Sequence, residues 1–274
     1  MLFSLLREVR PPPTGVPVTS ASVRLFDAAL DLLVPVQCVG CGLQHAQLCA
    51  ACREELDRAL PRAARPHAAP PGLPEVYAAT TYDGAARQIL LAHKERGALR
   101  LAHPLGGALA RAVRAAVPTG GASRSAPLLL VPMPSAPATV RARGHDPTRR
   151  LTLAATRALR RAGVPARLLA VLRQQRAVAD QSELGAAERL RNLSGALTVP
   201  RHRRSLLGHG RIVLVDDLVT TGATLAEGAR ALAEAGGDVL AAAVVAATVR
   251  RDGPAPEDRP DGRRGGRPGA AYPG

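Results

Sequence analysis

Asp216 and Asp217, followed within seven residues by Thr220, Thr221, Gly222, Ala223 and Thr224, are the residues of this chain best placed to do chemistry. They lie in RIVLVDDLVTTGATL, residues 211–225. The apolar run 212–215 predicts a short buried strand, with the acids at its carboxyl end. In open α/β sheets that end is where ligands sit. Adjacent carboxylates repel each other and are tolerated where a cation, water or hydroxyl donors satisfy them. A ribose supplies two vicinal hydroxyl donors. Thr220–Thr224 offers successive backbone N–H groups, three hydroxyls and a glycine that lets the backbone approach closely, and it opens a helix whose N-terminus attracts anions. One loop can therefore hold both ends of a ribose 5-phosphate, the hydroxyls on the acids and the phosphate on the TTGAT turn.

Three other loop types place similar residues together. A Walker A loop requires a lysine that is missing here. A receiver domain places its acidic pair near its start, whereas only one helix and one strand follow this pair. A plain strand-to-helix turn with exposed acids is the remaining alternative. A second candidate segment is LLLVPMPSAPATVRARGHD, residues 128–146. Its apolar strand stops at Pro132, and Arg141 and Arg143 arrive just before Gly144. The permanently charged, bidentate guanidinium suits pyrophosphate oxygens; the alternative is a proline-rich connector with surface arginines.

The four cysteines form two CxxC pairs, Cys38/Cys41 and Cys49/Cys52, seven residues apart. Each pair sets two thiolates on one turn, and two such turns complete a tetrahedral Zn²⁺ site. An all-thiolate set is structural rather than catalytic. A redox pair or an iron–sulfur cluster are the other uses of this spacing. His45, between the pairs, is not needed as a ligand.

The elements that must position these residues follow from periodicity and turn chemistry. Helices are predicted at 20–34, 53–60, 84–96, 101–116, 147–162 and 223–235. Strands are predicted at 76–82, 128–131, 168–172, 212–215 and 239–248. Residues 61–74 read as a proline-rich linker, 118–126 as a loop, 173–187 as polar and irregular, and 251–274 as a disordered tail. Apolar strands alternating with helices predict an α/β fold, a parallel sheet covered on both faces. The expected organisation is a small zinc-binding module over 20–60 and a main domain over 75–250.

Composition limits the function classes. Aromatics are 2% of the 274 residues, so stacking platforms for single-stranded nucleic acid are scarce. The net charge is +15, and sixteen arginines against four acids fall between 141 and 211. Such a bias fits an anionic partner, a polyphosphate or a nucleic acid; it equally fits arginine-rich coding with solvated faces. No apolar run is long enough to span a membrane, and the N-terminus does not read as a signal peptide. A cytoplasmic location is expected, where cysteines serve metals or redox chemistry before disulfides.

The run VLVDDLVTTGATL resembles the phosphoribosyl pyrophosphate (PRPP) signature of type I phosphoribosyltransferases. The resemblance implies that fold, with Asp216 and Asp217 on the ribose hydroxyls and Thr220, Thr221, Gly222, Ala223 and Thr224 around the 5-phosphate. Purine-salvage relatives carry an acid where Thr220 stands, so simple 6-oxopurine salvage is disfavoured. Tyr82-Asp83-Gly84, Lys94 within HKERG, VPMP followed by RARGHD, Arg173, Gln181, Arg191-Asn192 and the N-terminal cysteines make the core similar to the competence-associated ComF family. His145 and Asp146 depart from that family's usual residues. The resemblance implies PRPP contacts from Lys94, Arg141 and Arg143, catalytic roles for Asp216, Asp217 and Arg143, and Mg²⁺ bound with PRPP. Residues 173–195 stand where the superfamily carries a flexible loop, with Arg173, Gln181, Arg189 and Arg191 as candidate ligand contacts on closure; an amphipathic helix with solvated arginines is the other reading. Two functions stay open: phosphoribosyl transfer to an unidentified acceptor, and a non-catalytic nucleotide- or DNA-binding accessory role in DNA uptake, with single-stranded DNA or a DNA-processing protein as partner.

Overall fold

A computed structural model of the chain describes residues 36–66, 69–117, 126–175 and 195–248. The helix expected at 20–34, most of the 118–126 loop, the tail from 251 and most of the 173–195 segment lie outside the described residues. Six strands form one sheet in the order β1-β2-β8-β7-β3-β4. They are β1 (Arg62–Ala63), β2 (Val76–Thr81), β3 (Leu128–Pro132), β4 (Ala166–Leu168), β7 (Arg211–Val219) and β8 (Val239–Ala247). Every pairing is parallel except that of β1 with β2. The short strands β5 (Arg173–Gln174) and β6 (Leu197–Thr198) pair separately and antiparallel. β3 is buried throughout, and β8 is VLAAAVVAA, buried from Ala241 onward. Such unbroken apolar runs belong to strands covered on both faces.

Helices supply the two covers. On one face, α2 (Gly84–Glu95), α3 (Ala102–Ala116) and α5 (Pro147–Arg161) pack Ile89, Leu105, Leu109, Val113, Leu151 and Leu159 against Val213, Val215 and Val245. On the other, α6 (Ala223–Glu234) packs Leu225 and Leu232 against Leu214 and Val244. With so few aromatics, close approach of backbones replaces bulk. Gly106 of α3 lies so near α5 that a Cβ there would meet the Ala154 carbonyl carbon and the Ala155 nitrogen at 2.9 Å.

Four local features differ from the periodicity reading. β7 runs from Arg211 to Val219, well past the apolar 212–215, so the acid pair lies within the strand and Asp216 pairs with Val244 of β8. Residues 137–143 form a short helix, α4 (Pro137–Arg143), rather than a connector; a proline in the first helical turn fits there because its missing N–H would have no partner anyway. The expected strand at 168–172 is β4 at 166–168, set by its register with Leu128–Leu130. Within the stretch read as a linker, Arg62–Ala63 is an edge strand.

Candidate functional site

The carboxyl ends of β2, β8, β7 and β3 lie side by side in the parallel sheet. β7 carries the acids and delivers the chain into the Thr220–Thr224 turn. Side chains alternate along a strand, so Val213, Val215 and Asp217 face α2 and α3, while Leu214 and Asp216 face the α6 side. Leu214 approaches Gly228 of α6, consistent with that alternation.

Asp217 is 6% exposed and pairs with Nζ of Lys94, at the end of α2, at 2.8 Å. Its backbone N–H donates to Oδ1 of Asp216 at 2.8 Å. Burial, then the Asp217 carboxylate, push the Asp216 carboxyl up to about 8, with Lys94 drawing it down. Burial disfavours the charge on Lys94, but Asp217 and then Asp216 outweigh it, and its pKa is raised. Asp217 is therefore held by one ammonium while Asp216 beside it resists a full second charge, an arrangement that favours any incoming cation or hydroxyl donor.

The turn beyond the strand is built for close approach. Gly222, at φ 80°, caps α6. A Cβ on it would meet Cδ2 of Leu73 at 2.8 Å, so Leu73 closes over the turn. Gly222 and Ala223 are buried, Thr221 and Thr224 partly so, and Thr220 is exposed. Oγ1 of Thr221 accepts from the Ala223 N–H at 3.4 Å. The first-turn N–H groups of α6 have no partners within the helix and carry its positive dipole end.

The arginines expected near pyrophosphate sit on α4. Arg143 donates to Glu95 of α2 through Nη2 at 2.6 and 2.7 Å and through Nε at 3.1 Å. Arg141 is exposed and makes no ion pair among the described residues. The structure thus joins Lys94 directly to Asp217, with Asp216 next to it, and places Arg143 one α2 residue away, on Glu95. Arg173 is exposed in β5, and its Nη1 donates to the Leu172 carbonyl at 3.3 Å. Gln181, Arg189 and Arg191 lie outside the described residues. Neither Glu95 nor Leu73 stands out in the sequence. Glu95 sits within HKERG, but its partner is 48 residues away. Leu73 follows Gly72 in an otherwise unremarkable proline-rich run.

The cysteines form the second centre. Sγ atoms of Cys38, Cys41, Cys49 and Cys52 lie within 4.8 Å of one another, with Cys41 and Cys49 at 3.6 Å. Sulfurs on a tetrahedral Zn²⁺ at about 2.3 Å stand roughly 3.8 Å apart, so the set fits that ion. Backbone N–H groups support the thiolates, Cys49 donating to Cys38 at 3.3 Å and Cys52 to Cys49 at 3.5 Å. Burial raises the Cys38 thiol, yet the N–H donors of Cys49, Cys41 and Gly40 bring it down to about 6. Gly40 is required by space, since a Cβ would stand 2.7 Å from the Cys52 sulfur. Helix α1 (Ala50–Arg58) leaves the cluster, with Cys49 as its cap. It is tied to α3 by Arg111, which donates to Asp57 at 3.2 Å and to the Leu56 carbonyl at 2.5 Å.

Residues 153–263 match the phosphoribosyl transferase domain. The match takes in β7, the acid pair, the Thr220–Thr224 turn, α6 and β8. No curated protein matches the chain. Among the described residues no helix is long and apolar enough to cross a membrane.

Proposed function

We propose that this chain binds PRPP and transfers its phosphoribosyl group to a nucleophilic acceptor, releasing pyrophosphate, as a ComF-type protein of the reducing cytoplasm. The observation that carries this is the acid pair on β7, with Asp217 held by Lys94, running directly into the glycine-capped N-terminus of α6. Asp216 and Asp217 accept hydrogen bonds from the ribose hydroxyls. The Thr220–Thr224 N–H groups and hydroxyls hold the 5-phosphate. Lys94, Arg141 and Arg143 receive the pyrophosphate oxygens, Arg143 after leaving Glu95. Mg²⁺ arriving with PRPP would supply neutralisation of the pyrophosphate charge beside these cationic side chains. In the reaction the bond from C1′ to the pyrophosphate oxygen breaks, an acceptor lone pair forms the new bond to C1′, and the acceptor proton passes to solvent. Positive charge develops on the ribose and negative charge on the leaving group, so positioning and electrostatics supply most of the catalysis. Zn²⁺ on the four cysteines is structural, in a module over 20–60 that supports a transferase domain over 75–250.

Calorimetry with PRPP, with and without Mg²⁺, tests the reading on the wild type and on Asp216→Asn/Asp217→Asn. We expect heat from the wild type that the double variant loses. Absence of heat from both proteins overturns the proposal. A second reading, a DNA-binding accessory protein, is favoured by the positive charge between 141 and 211. It expects a salt-sensitive gel shift of single-stranded DNA by the full chain, unaffected by the acid-pair substitutions.

A further inference from the structure

A groove of about 890 Å³ runs along the outer side of α5, between that helix and the start of α3. Arg149, Arg150, Arg157 and Arg161 line it from α5, and Arg100 faces them. All five are exposed, and none makes an ion pair among the described residues, whereas Arg111, Arg143 and Arg230 do. The single acid on the lining, Asp146, is engaged as the cap of α5, accepting from the Arg149 N–H at 3.0 Å and the Ser135 hydroxyl at 3.2 Å. Five like charges around one groove repel one another, so their counter-charge has to come from outside the described fold. Arg157 and Arg161 stand one helical turn apart, about 6 Å along the axis, close enough for two forked donors to grip one phosphate chain.

The groove is not purely ionic. Leu153 is 42% exposed and Leu99 38% exposed, and both line it, Leu153 lying between the arginine pairs of α5. An inorganic polyanion would leave these leucines wet. A ligand with a flat apolar group and a phosphate chain would cover them and satisfy the arginines together; a guanidinium plane also stacks on a flat ring.

We propose that the α3–α5 groove is a second ligand site that takes a nucleoside triphosphate, its phosphates on the α5 arginines and its base over Leu99 and Leu153. The site is independent of what the Thr220–Thr224 turn binds. Titration calorimetry of the full chain with ATP, in saturating ribose 5-phosphate and without Mg²⁺, tests it. Three variants accompany the wild type: Arg150→Gln/Arg157→Gln, Leu153→Ser and Asp216→Asn/Asp217→Asn. The first two alter exposed side chains, so thermal melts should match the wild type. We expect ATP affinity to fall at least about tenfold in the arginine variant, as two charge-assisted bonds are lost. It should fall in Leu153→Ser for ATP but not for inorganic triphosphate, and stay unchanged in the acid-pair variant. Equal affinity for ATP and inorganic triphosphate in the wild type overturns the assignment of the base. ATP binding lost in the acid-pair variant but kept in the arginine variant overturns the site. Absence of ATP heat, with a single-stranded oligonucleotide bound through the same arginines instead, overturns the ligand class.

Discussion

A carboxylate as enclosed as Asp217 needs a counter-charge, and Lys94 supplies it at 2.8 Å. Removing one partner of such a pair leaves the other charge stranded, which costs more than removing both. Lys94 is itself 38% exposed, so water relieves part of the loss. We expect Lys94→Met to destabilise the fold by about 1–2 kcal/mol, seen as a lower urea midpoint, and Lys94→Met/Asp217→Asn to recover most of it. An unchanged midpoint in the single variant would show that the pair carries no such strain. Asp216 gives a pH dependence. Its folded pKa of about 8 lies above its ordinary 3.8, so between those values the folded state keeps a proton that the unfolded chain has released. Stability from this group therefore falls as pH rises through that window. Urea melts at about pH 5 and about pH 8 should show a decline that Asp216→Asn flattens; an equal decline in the variant refutes the assignment. The acids and threonines could be read from sequence because their chemistry is local. Glu95 could not, because its meaning depends on Arg143, brought to it by the fold.

At the scale of elements, backbone pairing prevails over side-chain pattern. The hydrophobic run ends at Val215, but β7 continues to Val219 because β8 offers it a partner ladder to Ala247 and Lys94 accommodates the acid facing α2. The parallel sheet and its two-sided cover were legible from runs such as LLLV and VLAAAVVAA; the strand order was not. Nor was α4, because the stretch after Pro132 reads as a proline-rich connector although Pro137 occupies a first-turn position. The α3–α5 contact was equally hidden: Gly106 carries no signal until Ala154 is known to face it. We expect Gly106→Val to destabilise by about 1–3 kcal/mol through overpacking against backbone, measured by thermal melting. A neutral result would mean that the two helices separate freely. The closeness of α3 to α5 also sets the floor of the arginine groove, so the same substitution should weaken ATP binding there.

Over the whole molecule, the cysteine cluster is not an appendage. Cys38, Cys49, Cys52 and Leu56 belong to the same buried cluster as Ile89, Leu90 and Leu105. Structural zinc contributes its binding energy to folding. Stripping the metal with a chelator should therefore lower the melting temperature of the entire protein by about 10 °C or more in a single transition. A transition confined to a small fraction of the unfolding heat would show that the module unfolds alone.

Lys94 and Glu95 are neighbours at the end of α2, yet one holds the β7 acid and the other the α4 arginine. A ligand bringing both hydroxyl donors and pyrophosphate trades two internal ion pairs for external ones. Few counterions are released in such an exchange, so its affinity should respond only weakly to ionic strength. The α5 arginines that line the groove have no ion-pair partners to trade among the described residues, and ligand binding there should weaken steeply as salt rises. For a chain of net charge +15, salt then becomes a way of telling which of the two sites a given anion has entered.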